Sequence, residues 1–272
     1  MEENQLGAFL RARRELVTPD EAGVPVLGVR RVPGLRREEV AMLAGISADY
    51  YLRLERGRDR HPSVQVLESL ARVLQLDDDS RAYLLGLAAD KPRRPRRPRP
   101  ERVPAGTAKL VALLPLPAFV EGRRLDVLAA NPLARALSPR LAAGRNRLRD
   151  LLLDPAEQAM FPDWEAGAAM LVAHLREAAG ADTADPRLIE LVGELSVASP
   201  LFRRLWARHD VRPRTAAMVP FRHPLVGDLP LNREKLLVTG TDGIVLVVYH
   251  PDYATDAADK LALLGPIAAT LG

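Results

Sequence analysis

Residues 36–57, RREEVAMLAGISADYYLRLERG, constrain the fold more than any other segment of the chain. Val40 and Leu43 stand three residues apart, a spacing that predicts the apolar face of a short helix. Gly45 follows at the position where a helix end favours positive φ, and the Ser47 hydroxyl can cap a second helix. Two short helices joined by so tight a turn are typical of a helix-turn-helix, whose second helix enters the DNA major groove.

The second helix has an inward face and an outward face. Tyr51 and Leu54 are expected to point into the core. Glu55 is expected to form a structural ion pair with Arg13 or Arg14 of a preceding helix. The outward residues then face the groove, and they are the first candidates for contacts with DNA.

The predicted DNA contacts divide into base and phosphate contacts. Arg53 can donate two hydrogen bonds to a guanine, which is worth about 1–3 kcal/mol of base discrimination. Asp49 either accepts from a cytosine amino group or caps its own helix, and the residue pattern leaves both readings open. For each arginine the alternative is a solvated surface charge. The full predicted set is Arg30, Arg31, Arg36, Arg37, Ala48, Asp49, Tyr50, Arg53, Arg58 and Arg60.

Composition sets the outer limits. The chain has 272 residues with 47% hydrophobic side chains, enough for one or two globular domains. It has no cysteine, which excludes disulfides and thiolate chemistry. The first residues do not resemble a signal peptide, and no apolar run approaches the ~18 residues of a membrane span. We therefore expect a cytosolic protein without a membrane partner.

Charge and proline mark a boundary. Residues 1–104 contain 20 Lys and Arg against 16 Asp and Glu, whereas residues 105–272 contain 19 of each. This asymmetry is expected when only one domain meets nucleic acid. Residues 91–104 are rich in proline and arginine, which predicts a stiff, extended linker. That linker is either a solvated spacer or an arm that follows DNA phosphates.

The residues before and after this linker predict different secondary structure. Residues 1–90 predict five helices, the fourth capped by Ser63 and the fifth beginning near Asp77. Residues 105–272 predict two early strands, inserted helices, three late strands and a closing helix over 256–271. The predicted fold is thus an all-α five-helix domain followed by an α+β domain with one antiparallel sheet and flanking helices.

Both parts resemble known families. Residues 5–88 resemble the lambda-repressor-like, xenobiotic-response-element type of helix-turn-helix, with the LERG run at residues 54–57 as its clearest segment. Residues 105–272 resemble the ligand-binding domain of MmyB-like transcription regulators of actinomycetes and relatives. Residues 125–137, 199–211 and 223–229 carry most of that second likeness.

The second resemblance implies a PAS-like domain and an apolar ligand, such as a fatty acid or another acyl or polyketide-like molecule. One departure concerns Ala130, because family members often have tryptophan there, and the smaller side chain reshapes any pocket wall at this point. Apolar pockets carry a few polar anchors. The predicted anchors for an anionic head group are Arg135, Arg176 and His223. The predicted wall residues, which could equally be plain core, are Val127, Ala130, Leu133, Leu137, Met170, Leu171, Leu201, Trp206 and Phe221.

The sequence offers no support for catalysis, a metal or a cofactor. Its five histidines lack metal-ligand spacing, and it contains neither a G-x-S-x-G motif nor a P-loop. The pattern favours a one-component regulator that binds a palindromic DNA operator as a homodimer, with the stiff linker transmitting ligand binding to the DNA-reading helices. Two alternatives stay open: a constitutive repressor whose second domain only dimerises, and an enzyme with an autoregulatory helix-turn-helix.

Overall fold

The computed structural model describes residues 4–25, 30, 32–59, 61–89, 101–180, 185–212, 217–252 and 255–270. By their contacts these residues divide into two units. The first unit comprises Met1–Pro95, Gly180–Thr183 and Arg204–Arg212, and the second comprises Arg96–Ala179, Ala184–Arg203 and Pro213–Gly272. The domain bounds 1–90, 91–104 and 105–272 stay a prediction, and most of the linker, residues 91–100, lies outside the described part.

The first unit contains the five predicted helices of the helix-turn-helix domain. They are α1 (Gln5–Leu16), α2 (Arg37–Ala44), α3 (Ala48–Glu55), α4 (Val64–Val73) and α5 (Asp78–Ala88). Their apolar faces meet in one core around Phe9, Leu10, Tyr51 and Leu54, all fully buried. Burial of such large side chains is the main stabilising contribution to so small a helical unit.

The predicted helix ends are confirmed. Gly45 ends α2 with φ of +70°, a conformation that costs glycine little because it has no Cβ. The Ser47 hydroxyl accepts from the Tyr50 amide at 3.1 Å and thereby starts α3. The expectation that Leu43 faces inward is wrong. The buried stripe of α2 runs through Val40, Ala41 and Ala44, which leaves Leu43 exposed at its edge.

A buried carboxylate joins three helices of this unit. Glu55, at the end of α3, accepts from Nε of Arg14 on α1 at 2.7 Å and from Nε of Arg37 on α2 at 2.5 Å. Arg14 also donates to the carbonyl of Leu35 at 2.8 Å. Of the two partners expected for Glu55, Arg14 is therefore the correct one. Arg13 instead donates to Asp210 at 2.8 Å.

Asp210 belongs to a segment that lies late in the sequence but is part of the first unit. Within Arg204–Arg212, Val211 is buried in the same core as the five helices. Arg212 pairs with Asp77, the N-cap residue of α5, at 3.3 Å. The helical unit is thus completed by residues that the sequence assigns to the second domain.

The second unit is built from helices and one sheet. Its strands are β1 (Ala118–Glu121), β2 (Val127–Ala130), β3 (Ala217–His223), β4 (Gly227–Leu237) and β5 (Val245–His250). Its helical elements before β3 are α6 (Ala105–Leu113), α7 (Pro132–Leu137), a 3₁₀ turn (Pro139–Leu141), α8 (Arg147–Leu153), α9 (Pro155–Ala159), α10 (Trp164–Ala179), α11 (Pro186–Ala198) and the first half of α12 (Pro200–Ala207). Two short helices follow β5, namely α13 (Ala257–Ala262) and α14 (Gly265–Thr270).

The five strands form one antiparallel sheet in the order β2-β1-β5-β4-β3. The α+β prediction is confirmed, and β5 is the central strand, as its apolar sequence predicts. Val245, Val247 and Tyr249 of β5 pack into the core on one face. Ile244 and Leu246 pack with Val120 and Val111 on the other face. The finer PAS-like description remains a prediction.

Asn131 connects three elements of this unit. Its side-chain oxygen accepts from the amides of Ala134 and Ala118 at 2.9 and 3.1 Å, and its side-chain nitrogen donates to the carbonyls of Leu116 and Leu114 at 2.7 and 3.2 Å. The amide is 2% exposed, so these bonds replace water entirely. The predicted cap of α7 is therefore also the tie between α6, β1 and α7.

The prediction of a single closing helix is wrong. The helix over 256–271 is interrupted between Ala262 and Gly265. Pro266 explains the break, because proline has no amide hydrogen to continue the helix and is tolerated in a first turn. No helix in the described part of the chain is long and apolar enough to cross a membrane.

The Glu55 cluster generates a stability prediction. We expect Glu55→Ala to lower the free energy of unfolding by about 3–5 kcal/mol, because it leaves the buried Arg14 without its carboxylate. Urea denaturation of the full chain, followed by circular dichroism, measures this change. Glu68→Ala is the matched control: Glu68 pairs with Arg81 at the surface of the same unit, and its loss should cost less than about 1 kcal/mol. Equal effects of the two substitutions would contradict the structural role of Glu55.

Candidate DNA-reading helix and ligand-domain site

Three outward side chains of α3 form one group. Arg53 makes an ion pair with Asp49, one helical turn earlier. Its guanidinium carbon also lies 5.5 Å from the centre of the Tyr50 ring, within cation–π range. Burial raises the pKa of the Tyr50 hydroxyl, which therefore stays a neutral hydrogen-bonding group at physiological pH. The group presents a positioned guanidinium, a carboxylate and an aromatic ring on the exposed face of the helix.

The contacts of α3 exclude one of the two roles predicted for Asp49. The cap of α3 is Ser47, so the alternative that Asp49 caps its own helix is wrong. The carboxylate is bound to Arg53 instead. Any base that takes both guanidinium donors must therefore compete with Asp49, and the prediction that Asp49 itself accepts from cytosine remains untested.

The other predicted DNA contacts take different positions. Ala48 is exposed at the start of α3, and Arg58 is exposed just after its end. Arg36 is exposed at the N-cap of α2, where its amide donates to Glu39 at 2.6 Å. Arg37 keeps 41% of its side chain exposed while its Nε is bonded to Glu55. Two further predicted contacts, Arg31 and Arg60, lie outside the described residues.

Arg30 differs from the expectation. Its two terminal nitrogens donate to both oxygens of Glu39 at 2.8 Å, and one of them also donates to the Gly34 carbonyl at 3.0 Å. Only 14% of the side chain is exposed. Because this bidentate pair occupies the guanidinium and braces the loop before α2, we leave Arg30 out of the proposed DNA interface.

The predicted ligand-wall residues are mostly packed core. Val127, Leu137 and Phe221 are at most 2% exposed and share one cluster, with Ala130 and Leu133 partly buried against it. Of the other four, Leu171 is buried, Leu201 and Trp206 are half-buried, and Met170 is 39% exposed. Trp206 also falls in the first unit. A groove of about 260 Å³ contains Leu133; it is lined by Ala112, Leu114, Asn131, Pro132, Leu133, Ala268 and Ala269.

The three predicted polar anchors differ in their contacts and burial. Nδ1 of His223 accepts from the Leu225 amide at 3.3 Å, which leaves Nε2 to donate to the Ala136 carbonyl at 3.2 Å. His223 is therefore corrected from a head-group ligand to a brace between α7 and the β3–β4 turn. Arg176 is buried in α10, and Arg135 is half-buried on α7.

The sequence analysis missed a set of charged residues on the sheet face that carries Val245, Val247 and Tyr249. We call Glu121, Arg147, Arg233 and Lys235 the buried charge cluster. Glu121 accepts from Arg147 at 2.6 Å and lies 3.5 Å from the ammonium of Lys235. The strand pattern of β4 was the available signal, because Leu229, Leu231, Arg233 and Lys235 alternate with exposed or half-exposed residues.

Arg147 and Arg233 occupy this cluster in different ways. The Arg147 guanidinium lies 5.3 Å from the centre of the Phe119 ring. Arg233 is 5% exposed, and burial lowers the pKa of its guanidinium. The cluster therefore holds several charges in a poorly hydrated part of the unit. No group of three or more His, Asp or Glu side chains within the described residues is placed to hold a metal ion.

Comparison with known families accounts for most of the chain. Residues 5–84 match a family model described as a helix-turn-helix domain. Residues 103–264 match the model of the MmyB-like transcription regulator ligand binding domain. No match was found among curated proteins. Since the second model covers more than half of the residues, the chain belongs to the family of MmyB-like transcription regulators, with a helix-turn-helix domain before its ligand binding domain.

Proposed function

We propose that this protein is a one-component transcription regulator in which α3 reads a DNA operator and an apolar ligand of the second unit modulates operator affinity. The observation that carries the proposal is the exposed group of Arg53, Asp49 and Tyr50, held on a helix that follows a glycine turn. The same chain carries a ligand binding domain, and together the two domains support a ligand-responsive transcription regulator.

Base reading is assigned to Arg53. A guanidinium held by Asp49 and Tyr50 loses less side-chain entropy on binding than a free arginine, so more of its hydrogen-bond energy goes into base discrimination. Ala48 is small enough to approach a thymine methyl. Arg36, Arg37 and Arg58, which lie near α3, are proposed to bind phosphates, and Arg31 and Arg60 are proposed for the same role from the sequence alone.

A single helix-turn-helix reads only a few base pairs, so the operator is expected to be palindromic and the protein a homodimer. Five of the nine wall residues proposed for the ligand are packed together in the core of the second unit. An apolar ligand such as a fatty acid therefore has to separate them, which makes binding a selection of a less populated, opened conformation.

Two segments connect ligand binding to DNA binding in this proposal. The first is the stiff linker rich in proline and arginine. The second is Arg204–Arg212, which lies within the sequence that the ligand binding domain model matches and whose Val211 lies in the core of the helical unit. Either segment can bias the helical unit without a separate partner protein.

The base-reading assignment is tested with Arg53→Ala. We expect operator affinity to fall about tenfold or more, while weak, salt-sensitive binding to unrelated DNA persists. An operator obtained by oligonucleotide selection, titrated by fluorescence anisotropy at two salt concentrations, measures both. Arg81→Ala is the control, because Arg81 is an exposed arginine of the same unit that pairs with Glu68. Unchanged operator selectivity in Arg53→Ala would remove Arg53 from base reading.

The ligand class is tested by mass spectrometry of an organic extract of the denatured, full-length protein. We expect a stoichiometric acyl or lipid compound, and we expect Ala130→Trp to carry less of it because the larger side chain fills space beside the apolar cluster. Arg187→Trp, at an exposed site on α11, is the matched control. A clean extract from wild-type protein would favour the constitutive repressor whose second domain only dimerises.

The linker is tested by replacing residues 91–100 with glycine and serine. A flexible chain of equal length keeps the domains tethered but transmits orientation poorly. We expect operator binding to survive and its response to ligand to be lost. An intact response would assign transmission to Arg204–Arg212 instead.

A further inference from the structure

The buried charge cluster contains more positive than negative charge. Cross-strand pairing sets Arg233 opposite Tyr249 and Lys235 opposite Val247. Because alternate residues share a face, both cations lie on the face that also carries Phe119 and Glu121. Arg147 reaches the same face from α8. Three cations thus surround the single carboxylate of Glu121.

Glu121 is already occupied by two of these cations. One of its oxygens accepts from Arg147 at 2.6 Å, and the other lies 3.5 Å from Lys235. Arg233 is left with neutral partners. The Tyr249 side chain hydrogen-bonds to its guanidinium, and Nη2 of Arg233 donates to the thioether sulfur of Met170 at 3.6 Å. Nε of Arg233 has no hydrogen-bond partner among the described residues. A thioether is a weak acceptor, so these donors are available to a stronger one.

The carboxyl group of Glu157 does not balance the excess positive charge of the cluster. Glu157 accepts from the Ser138 hydroxyl at 2.7 Å, and burial raises the pKa of its side chain, which favours the neutral form. Even when Glu157 is ionised, the cluster has three positive charges against two negative ones. A buried charge without a counterion is costly, so the arrangement is most stable with an anion beside Arg233.

Met170 lies on the side from which we expect an anion to reach Arg233. It is 39% exposed, although its sulfur contacts the buried Arg233. Methionine side chains change rotamer readily, so Met170 can cover the guanidinium and move aside. The apolar residues Leu231 and Phe221 lie on the same sheet face as Arg233 and extend away from it, suited to a hydrocarbon chain.

We propose that Arg233 binds the carboxylate of an apolar carboxylic acid, with Lys235 and Arg147 adding to the positive field and Met170 covering the position in the free protein. This assignment rests on the proposed function for the existence of an apolar ligand. It moves the head-group site from the predicted anchors Arg135, Arg176 and His223 to Arg233, where three cations surround one carboxylate. The hydrocarbon chain then runs over the apolar end of the sheet face.

The experiment compares two probes of equal chain length on the delipidated, full-length protein. Dodecanoate and 1-dodecanol differ only in the head group, and isothermal titration calorimetry measures both dissociation constants. We expect wild-type protein to prefer dodecanoate at least tenfold, as a charge-assisted hydrogen bond in a buried site implies. Arg233→Gln should abolish this preference, whereas Arg233→Lys should retain part of it. Arg222→Gln, an exposed arginine on β3, is the control and should behave like wild type.

The outcomes separate the two proposals. Equal affinity of wild-type protein for both probes overturns the carboxylate site but leaves the apolar-ligand function standing. Binding of neither probe overturns both. A full carboxylate preference in Arg233→Gln moves the head group away from Arg233 and overturns the assignment. Thermal unfolding of each variant checks folding. If Arg233→Gln does not fold, Arg233→Lys decides: a reduced preference supports the assignment, and a full preference overturns it, because lysine lacks the planar pair of guanidinium donors.

Discussion

The buried carboxylate of Glu55 is the interaction on which the DNA-reading geometry depends. It lies at the last residue of α3 and binds arginines from α1 and α2, so one side chain fixes the position of one helix against the other two. The outward group on α3 has a defined direction only because this end of the helix is anchored. The Ser47 cap and the Gly45 turn then fix the other end. A short helix of 8 residues thus gains from its neighbours the rigidity that its own hydrogen bonds cannot provide.

The second unit uses buried charge in the opposite way. In the first unit two arginines share Glu55, but Arg37 keeps 41% of its side chain in water, so its charge is partly solvated. In the buried charge cluster, Arg147, Lys235 and Arg233 are each no more than 11% exposed. The first arrangement is satisfied without a ligand, whereas the second has a donor left over. The excess positive charge is therefore partly solvated in the Glu55 cluster, which we regard as structural. It is buried in the buried charge cluster, for which we propose a ligand.

Local rules predicted the parts of the fold that depend on local chemistry. The serine caps, the glycine turn, the Asn131 cap and the central position of β5 all follow from a few neighbouring residues. The break before Pro266 follows from the same local chemistry, because proline has no amide hydrogen to continue a helix. Leu43 escaped prediction because its side chain lies at the edge of a narrow stripe, and helical periodicity does not resolve edges.

The site residues were less predictable because their roles depend on partners distant in sequence. The sequence does not show that Arg30, a loop arginine, pairs with Glu39. It also does not show that His223 is bonded to the Ala136 carbonyl and is therefore not a free anchor. Apolar periodicity likewise does not distinguish a pocket wall from plain core, as Val127 and Phe221 illustrate. Arg233 was open to prediction from the alternation along β4, but its surplus charge appears only when Glu121 and Arg147 are counted with it.

The ion pair between Arg53 and Asp49 also bears on how long the protein stays at the wrong place on DNA. In the proposed interface α3 faces the groove, so the Asp49 carboxylate is repelled by every phosphate that it passes, whatever the DNA sequence. A guanine that captures Arg53 offsets that repulsion, while other bases leave it in force. If the proposed interface is correct, we therefore expect residence times on random DNA to be shortened more than those on the operator. A negative charge among the arginines would then accelerate the search along a genome.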